Sequence, residues 1–297
     1  MKIQFGMSLS TEDPPVKFID LVKTTERAGF ASIWLTDSGL NGRDCYPYLT
    51  LMALNSEIPS IGTGVTNFQS RHLAITANSI SSVDEISGGR AILGLSAGGP
   101  WNLGELGIKA PISPSLFKEN VMTIKKLLAG KKVNFNPKSR DAKLYFQTKS
   151  QIPVYVAATG PKMLGVAGEV GEGVIVSTGV YDKCIKFSKE KIEEGAQSAG
   201  KDFNKIKLVN WTFCGIAKDS KSAVKSIRPL AMWSPTLNPF WASIVDASPR
   251  DSELIHEAYL QRHNFSEMTR ISELLSDEFI LKFGIAGTVD ECIDQIK

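Results

Sequence analysis

The sequence predicts an α/β fold, a (β/α)8 TIM barrel, because strand-like and helix-like segments alternate along most of the chain. The strand-like segments are short and almost wholly apolar, as in ASIWLTD (31–37) and GVIVSTG (173–179), which is typical of parallel strands covered on both faces. The segments between them place apolar residues such as Phe18, Leu21 and Val22 at helical spacing. No GxGxxG motif follows the first strand, which argues against a dinucleotide-binding sheet.

The alternation continues through seven expected strands. These lie in residues 2–9, 31–37, the start of 60–77, 91–99, 153–160, 173–179 and 207–217. Helices are expected at 14–30, from Pro47, over 71–87, and at 114–130, 161–170 and 182–199. Strands that alternate with helices in this way indicate a parallel sheet. The polar residues 131–150 lack a clear period and are expected to form a short hairpin.

Residues 218–280 interrupt the alternation with a Pro- and Trp-rich stretch and two helical stretches, 251–262 and 266–279. The sequence therefore predicts one barrel domain over 1–297 that carries a mainly helical insertion after the seventh strand. The chain of 297 residues is long enough for such a domain.

The last segment, FGIAGTVDECIDQIK, contains the Thr288-x-x-Glu291 capping box that starts a helix. This assignment leaves the eighth strand of the barrel without a segment. The sequence thus predicts either a barrel that lacks its last strand or one that closes differently.

The composition argues against several classes of function. The formal net charge is only +3, which gives no reason to expect nucleic acid or a membrane surface as a partner. No apolar run approaches the roughly 20 residues that span a bilayer. The four cysteines contain no CxxC pair and there are only three histidines, which argues against a metal site or a disulfide framework. A cytoplasmic protein is expected.

The candidate site lies where the strands end, because ligands of such barrels bind at the C-terminal ends of the strands. The residues at these ends are small, polar and rich in glycine, with a single carboxylate. They are Ser8, Thr36–Ser38, Gly64–Asn67, Ser96–Gly98, Ala158–Gly160, Ser177 and Thr178. Hydroxyls and backbone N–H groups of this kind suit a large flat ligand with a phosphate better than metal chemistry.

Several of these residues have two readings. Asp37 either contributes to function or merely caps the next segment, and barrel geometry favours function. Thr159 and Pro161 either start a helix or direct its free N–H groups at an anion. The segment 233–241 is either a lid over the substrate or a contact between subunits.

Two stretches resemble a known family. Residues 62–99, GTGVTNFQSRHLAITANSISSVDEISGGRAILGLSAGG, and residues 154–179, VYVAATGPKMLGVAGEVGEGVIVSTG, resemble the bacterial luciferase-like flavin and deazaflavin oxidoreductases. The likeness is greatest to the coenzyme F420-dependent methylenetetrahydromethanopterin reductases. The last segment, FGIAGTVDECIDQI, resembles the late part of these proteins.

The resemblance implies that the strand ends hold a deazaflavin or flavin ring. It also implies a bulge in strand three with a non-prolyl cis peptide against that ring, here the Gly64–Val65 bond. The segments that match Ala158–Pro161 and Ser177–Thr178 lie by the cofactor phosphate in the family. The implied cofactor contacts are Asp37, Gly64, Val65, Thr66, Ser96, Ala97, Gly98, Ala158, Thr159, Gly160, Pro161, Ser177 and Thr178, and the implied catalytic residues are Asp37 and Ser8.

The sequence also departs from this family at three positions. The glutamate at the end of the first strand is Ser8 here, the histidine that often follows Asp37 is Ser38, and an acidic residue after strand four is Gly99. A serine hydroxyl cannot replace a carboxyl as a proton donor of matched strength.

Three functions therefore stand side by side. The first is hydride transfer between coenzyme F420 and a small organic or pterin-type substrate, in a protein expected to be a homodimer. The second is an FMN-dependent monooxygenase on the same fold. The third is a non-catalytic relative of the reductases that binds the cofactor.

Overall fold

The structure of the protein is a computed structural model that describes residues 3–108, 112–146, 151–262 and 264–297. The chain divides into two compact units. The first unit comprises Met1–Ala157 and Val170–Gly173, and the second comprises Ala158–Glu169 and Val174–Lys297. The extent of a single barrel domain over 1–297, with an insertion at 218–280, stays a prediction.

The first unit contains alternating strands and helices, as expected. Its strands are β1 (Gly6–Leu9), β2 (Ser32–Leu35), β3 (Ser60–Thr63), β4 (Thr66–Asn67), β5 (Ala91–Ser96) and β6 (Val154–Ala158), whose last residue belongs to the second unit. Its helices are α1 (Pro15–Arg27), α2 (Cys45–Leu54), α3 (Leu73–Ser87), α4 (Pro100–Glu105) and α5 (Pro114–Leu128). The strand order is β1-β2-β3-β5-β6, with β4 beside β5, and all these pairs are parallel.

The two faces of this sheet differ in composition. On one face Ile33, Leu35 and Leu93 are wholly buried, and the helices α2 and α3 pack against the strands. Ser8, Trp34 and Gly62 are register partners on β1, β2 and β3, so their side-chain positions share the opposite face. At this level the face therefore presents a hydroxyl, an indole and a glycine side by side.

The helix boundaries follow from local side chains. Helix α2 begins at Cys45 rather than Pro47, because the carboxylate of Asp44 accepts a hydrogen bond from Tyr46 N and so caps the helix start. The ring of His72 caps α3 by accepting from Ala74 N. Gly88 ends α3 in the left-handed conformation, with a φ of 72°.

The second unit contains fewer strands and more helices. Its strands are β7 (Gly173–Val176, whose first residue belongs to the first unit), β8 (Lys207–Asn210), β9 (Phe213–Ile216) and β10 (Gly284–Gly287). Its helices are α6 (Pro161–Val170), α7 (Asp182–Ser198), α8 (Ser220–Ala231), α9 (Trp233–Leu237), α10 (Phe240–Ile244), α11 (Pro249–Leu260), α12 (Phe265–Ser272), α13 (Asp277–Leu281) and α14 (Val289–Ile296). Strand β7 neighbours β8, and β10 pairs with β9 in parallel.

Three expectations for this unit were wrong in detail. The seventh strand, expected over 207–217, is two strands in different sheets. The helix expected over 266–279 is two helices, because the hydroxyl of Ser276 accepts from Phe279 N and starts α13 afresh. The segment without a strand assignment does contain one, β10, which the glycines at both its ends concealed.

The expected hairpin at 131–150 corresponds to an isolated antiparallel bridge between Val133 and Ala142, and residues 147–150 lie outside the described part of the chain. Among the residues that the structure describes, no helix is both long and apolar enough to cross a membrane.

Candidate active site

The carboxylate of Asp37 lies two residues beyond the end of β2 and is half-buried. Its Oδ2 accepts a hydrogen bond of 2.7 Å from the hydroxyl of Thr66 on β4. Thr66 in turn pairs with Leu95 of β5. Asp37 is therefore attached to the neighbouring strands rather than serving only as a cap for the segment that follows it.

The chain between β3 and β4 contains the predicted cis peptide bond, Gly64–Val65. Before it, Gly64 N donates to Leu35 O at 2.8 Å. The hydroxyl of Thr63 donates to Gly94 O at 2.7 Å and accepts from Gly94 N at 2.9 Å. A Cβ atom on Gly94 would lie 2.1 Å from the carbonyl oxygen of Thr63, so only glycine allows this approach.

The end of β5 is held by a side chain that follows β4, and the last residue of β4 fixes the turn that carries it. The amide of Gln69 donates to Ala97 O at 2.7 Å, and Oδ1 of Asn67 accepts from Gln69 N and Ser70 N, both at 2.9 Å. The hydroxyl of Ser96 accepts from Gly98 N at 3.1 Å. Gly98 has a φ of 92°, a conformation that favours glycine. These hydrogen bonds and the glycine conformation fix the shape of the loop after β5.

Ser8 lies inside β1 and is exposed. Its register partner Trp34 is 4% exposed, and the indole Nε1 donates to the hydroxyl of Ser32 at 2.9 Å. The ring of Tyr155 lies 5.7 Å from the ring of Trp34, between centroids. Ser8 therefore presents an accessible hydroxyl on the face of the sheet that carries these aromatic rings.

Several ionisable side chains surround Asp37 at the start of α2. Burial, followed by the charges of Asp37 and Asp44, raises the pKa of the Cys45 thiol. Burial likewise raises the pKa of Tyr46 well above its usual value. Both groups are consequently neutral at physiological pH.

Arg71 contacts two members of this cluster, Asp44 and Tyr46. Its Nη2 donates to both carboxylate oxygens of Asp44, at 3.0 and 2.9 Å. The guanidinium carbon lies 4.7 Å from the centroid of the Tyr46 ring, a distance at which a cation–π contact is favourable. Arg71 thereby fixes the first turn of α2.

In the second unit, the predicted helix start at Ala158–Pro161 is present. Ala158 ends β6, and Pro161 is the first residue of α6. Gly160 O accepts from Leu164 N at 2.9 Å. The indole Nε1 of the wholly buried Trp241 donates to Thr159 O at 2.9 Å, so a residue of α10 holds the loop that leads into α6.

Ser177 and Thr178 follow β7, and they differ in accessibility. Ser177 is half-buried, whereas Thr178 is wholly buried. The hydroxyl of Thr178 lies 3.0 Å from the hydroxyl of Ser188 on α7, which donates to Cys184 O at 2.7 Å. Thr178 is thus engaged with α7 through its side chain.

The structure therefore brings together the predicted residues of the first unit at the ends of consecutive strands, and those of the second unit at the ends of β6 and β7. Sequence reasoning missed Gln69 and Trp241, and no motif marks the contact of Gln69 with Ala97 O. The Trp-rich composition of 233–241 was the only signal for Trp241.

The polar groups at the candidate site are hydroxyls, backbone amides and one carboxylate. Within the described residues no group of three or more His, Cys, Asp or Glu side chains could hold a metal ion. The half-buried Asp37 and the glycine-containing loop after β5 leave polar groups and backbone accessible at the strand ends. This set fits a flat, hydrogen-bonding organic ring.

Parallel strands alternating with helices, with polar residues at the strand ends, define the class of protein: an α/β fold of the TIM-barrel type. The chain belongs to the luciferase-like monooxygenase family, whose sequence model matches residues 1–297. The predicted family is thereby confirmed.

The chain is also similar to individual proteins of known activity. The chain is 33% identical to a 5,10-methylenetetrahydromethanopterin reductase of Methanolobus tindarius, over 97% of this chain and 88% of that protein. It is 25% identical to an F420-dependent glucose-6-phosphate dehydrogenase of Microbacterium testaceum, over 99% of this chain and 87% of that protein.

The solved structure of the coenzyme F420-dependent tetrahydromethanopterin reductase of Methanopyrus kandleri is similar with a TM-score of 0.84 and 28% identity. The match covers 100% of this chain and 89% of the other. An F420-dependent secondary alcohol dehydrogenase has the same fold, with a TM-score of 0.79 and 21% identity, over 100% of this chain and 89% of the other. These likenesses confirm the predicted fold class.

Proposed function

We propose that this protein is an oxidoreductase that binds coenzyme F420 and transfers hydride between the deazaflavin and a small organic or pterin-type substrate. The names of its relatives support the cofactor. The observation that carries the proposal is the half-buried carboxylate of Asp37, which accepts a hydrogen bond from Thr66. Thr66 directly follows the Gly64–Val65 cis peptide in the chain. A fixed carboxylate at the strand ends suits a polar contact to a ring or to its substrate.

In this proposal the first unit contributes Asp37, Val65 and the loop Ser96–Gly98 to the binding of the ring. The coenzyme supplies the redox chemistry, namely the acceptance or donation of a hydride. The protein positions the ring and limits access of water. Contact between the cofactor phosphate and Ala158–Pro161 or Ser177–Thr178 stays a prediction. The half-buried Thr159 and Gly160 at the start of α6 support it more directly than the buried hydroxyl of Thr178 does.

We assign Ser8 to the substrate side of the site, because its hydroxyl is accessible from the face of the sheet that carries Trp34. A hydroxyl can orient a substrate by hydrogen bonding, but it does not supply a proton as readily as a carboxyl group. The proton chemistry of the reaction would then depend on Asp37 or on the substrate itself.

The decisive experiment is a titration of the purified full-length chain with F420 and, separately, with FMN. Binding of F420 at micromolar concentration, together with reduction or oxidation of the deazaflavin by a candidate substrate, is the expected result. Binding of FMN with oxygen consumption would replace the proposal with a monooxygenase. Binding of F420 without turnover across pterin, alcohol and sugar phosphate substrates would favour a non-catalytic relative.

The homodimeric state and the cytoplasmic location are also proposed. The first is tested by sedimentation equilibrium of the purified protein, where a mass twice that of the chain is expected. The second is tested by fractionation of cells that produce the protein.

A further inference from the structure

We propose that Thr66 is a positioning residue that holds the carboxylate of Asp37 from the protein side. This inference rests on the proposed function, because it gives Asp37 a ligand to act on. It assigns to Thr66 a different task from the cofactor contact that the resemblance implies.

Thr66 is placed for this task by its strand. It is 0% exposed, and its backbone is fixed by the pairing of β4 with β5. A hydroxyl this deeply buried has no surface for a ligand, and its one hydrogen bond, at 2.7 Å, goes to Oδ2 of Asp37. Bonds to a charged acceptor are short and roughly twice as strong as neutral ones.

The consequence is an oriented carboxylate. The donor on β4 holds Oδ2 of the Asp37 carboxylate, while the half-buried position of Asp37 leaves acceptor capacity for a ligand. A catalytic group held in this way costs no reorganisation during the reaction. Misplacement by about 1 Å can cost about a hundredfold in rate, so loss of the Thr66 hydroxyl should lower kcat more than it weakens cofactor binding.

The test compares Thr66→Val, which removes the hydroxyl at nearly constant volume, with Thr66→Ser, which keeps it. We expect kcat of the Val variant to fall about tenfold or more, with the Kd for F420 changed by less than about threefold, and the Ser variant to recover most of kcat. Asp37→Asn provides the reference for full loss of the carboxylate. Thr25→Val is the matched control, because this buried threonine donates only to Leu21 O of its own helix.

A second readout separates this inference from the proposed function. In crystal structures of the wild-type and Thr66→Val proteins, the carboxylate of Asp37 should leave its position in the variant, whether or not F420 supports turnover. A carboxylate that stays in place, or a Ser variant as impaired as the Val variant, would overturn the positioning role. A wild-type protein that neither binds nor turns over F420, with Asp37 displaced in the variant, would overturn only the proposed function.

Discussion

The two units hold their strand ends in different ways. In the first unit the contacts run between neighbouring strands: Thr63 binds the backbone of Gly94, and Thr66 binds Asp37. In the second unit helices supply the contacts: Trp241 on α10 binds Thr159 O, and Ser188 on α7 lies against Thr178. The first arrangement requires a close approach of two backbones, whereas the second requires side chains that are distant in sequence. Substitutions should therefore damage the two units by different mechanisms.

The largest effect is expected for Gly94→Ala. The added Cβ would lie 2.1 Å from Thr63 O and 3.0 Å from Cγ1 of Val65, so β3 and β5 would have to separate and both Thr63–Gly94 hydrogen bonds would weaken. Overpacking of this kind typically costs 1–3 kcal/mol. Because the added Cβ meets backbone, which yields less than a side chain, we expect a cost at the upper end of this range, about 3 kcal/mol. The measurement is the free energy of unfolding from denaturant titration. Gly99→Ala, which meets nothing within 4 Å, is the control and should be nearly neutral; a similar loss in both variants would refute the close-approach argument.

The next effect is expected for Trp241→Phe in the second unit. This change removes the indole donor and leaves Thr159 O without its 2.9 Å hydrogen bond. A buried acceptor left unsatisfied costs 1–3 kcal/mol, and the smaller ring adds a cavity, so about 2 kcal/mol is expected. Equilibrium unfolding measures it, with Phe265→Leu, at an exposed aromatic residue, as the control. If Trp241→Phe were as stable as wild type, the helix-based support of the α6 loop would be wrong.

The same difference explains how much the sequence could predict. The strands of the first unit were predicted because apolar runs such as those around Ile33 and Leu93 can be recognised from the local sequence alone. The cis bond at Gly64–Val65 was predicted from the family resemblance and is confirmed. Strand β10 was missed because glycine is a poor strand former, so its four residues gave no strand signal.

The contacts of the candidate site were harder to predict than the strand ends. The order of the strands places Asp37, Val65 and Ser96 at one edge of a sheet, and this could be deduced from the alternation alone. The hydrogen bonds could not, since Thr66 lies 29 residues from Asp37 and Trp241 lies 82 residues from Thr159. Such pairings depend on packing across the fold, which no local pattern encodes.

A third prediction concerns buried thiols, of which each unit has one with a clearly raised pKa. In the second unit burial alone raises the pKa of Cys184 from 9.0 to about 12; in the first, the carboxylates of Asp37 and Asp44 add to the effect of burial on Cys45. A pKa raised on folding stabilises the native state fully below the unfolded value, and this stability is lost as pH rises from 9 towards 12. The free energy of unfolding should therefore decline as pH rises through this range. Cys184→Ala should make the decline shallower, by the slope that corresponds to the release of about one proton on unfolding.

The comparison for this measurement is Cys214→Ala, because Cys214 is exposed although its pKa is also raised, first by partial burial and then by Cys292. Its removal should change the alkaline slope less than the removal of Cys184. An unchanged slope in Cys184→Ala would contradict the assignment of a desolvated thiol to α7.

The smallest effect is expected at the capping box of α14 in the second unit, which differs from the strand-end contacts because it is exposed. The hydrogen bond from Thr288 N, followed by that from the Ser220 hydroxyl, lowers the pKa of Glu291 below its usual 4.5. A carboxyl group whose pKa is lowered on folding stabilises the native state above its unfolded pKa, and this contribution is lost as pH falls through the folded value. Glu291→Gln should therefore lower the melting temperature slightly at pH 7, and the difference from wild type should shrink as pH falls below 4.5 towards 3. The measurement is thermal unfolding across this range, with the exposed Glu253→Gln of α11 as the control; equal losses at pH 7 and pH 3 would show that the charge of Glu291 does not support the helix.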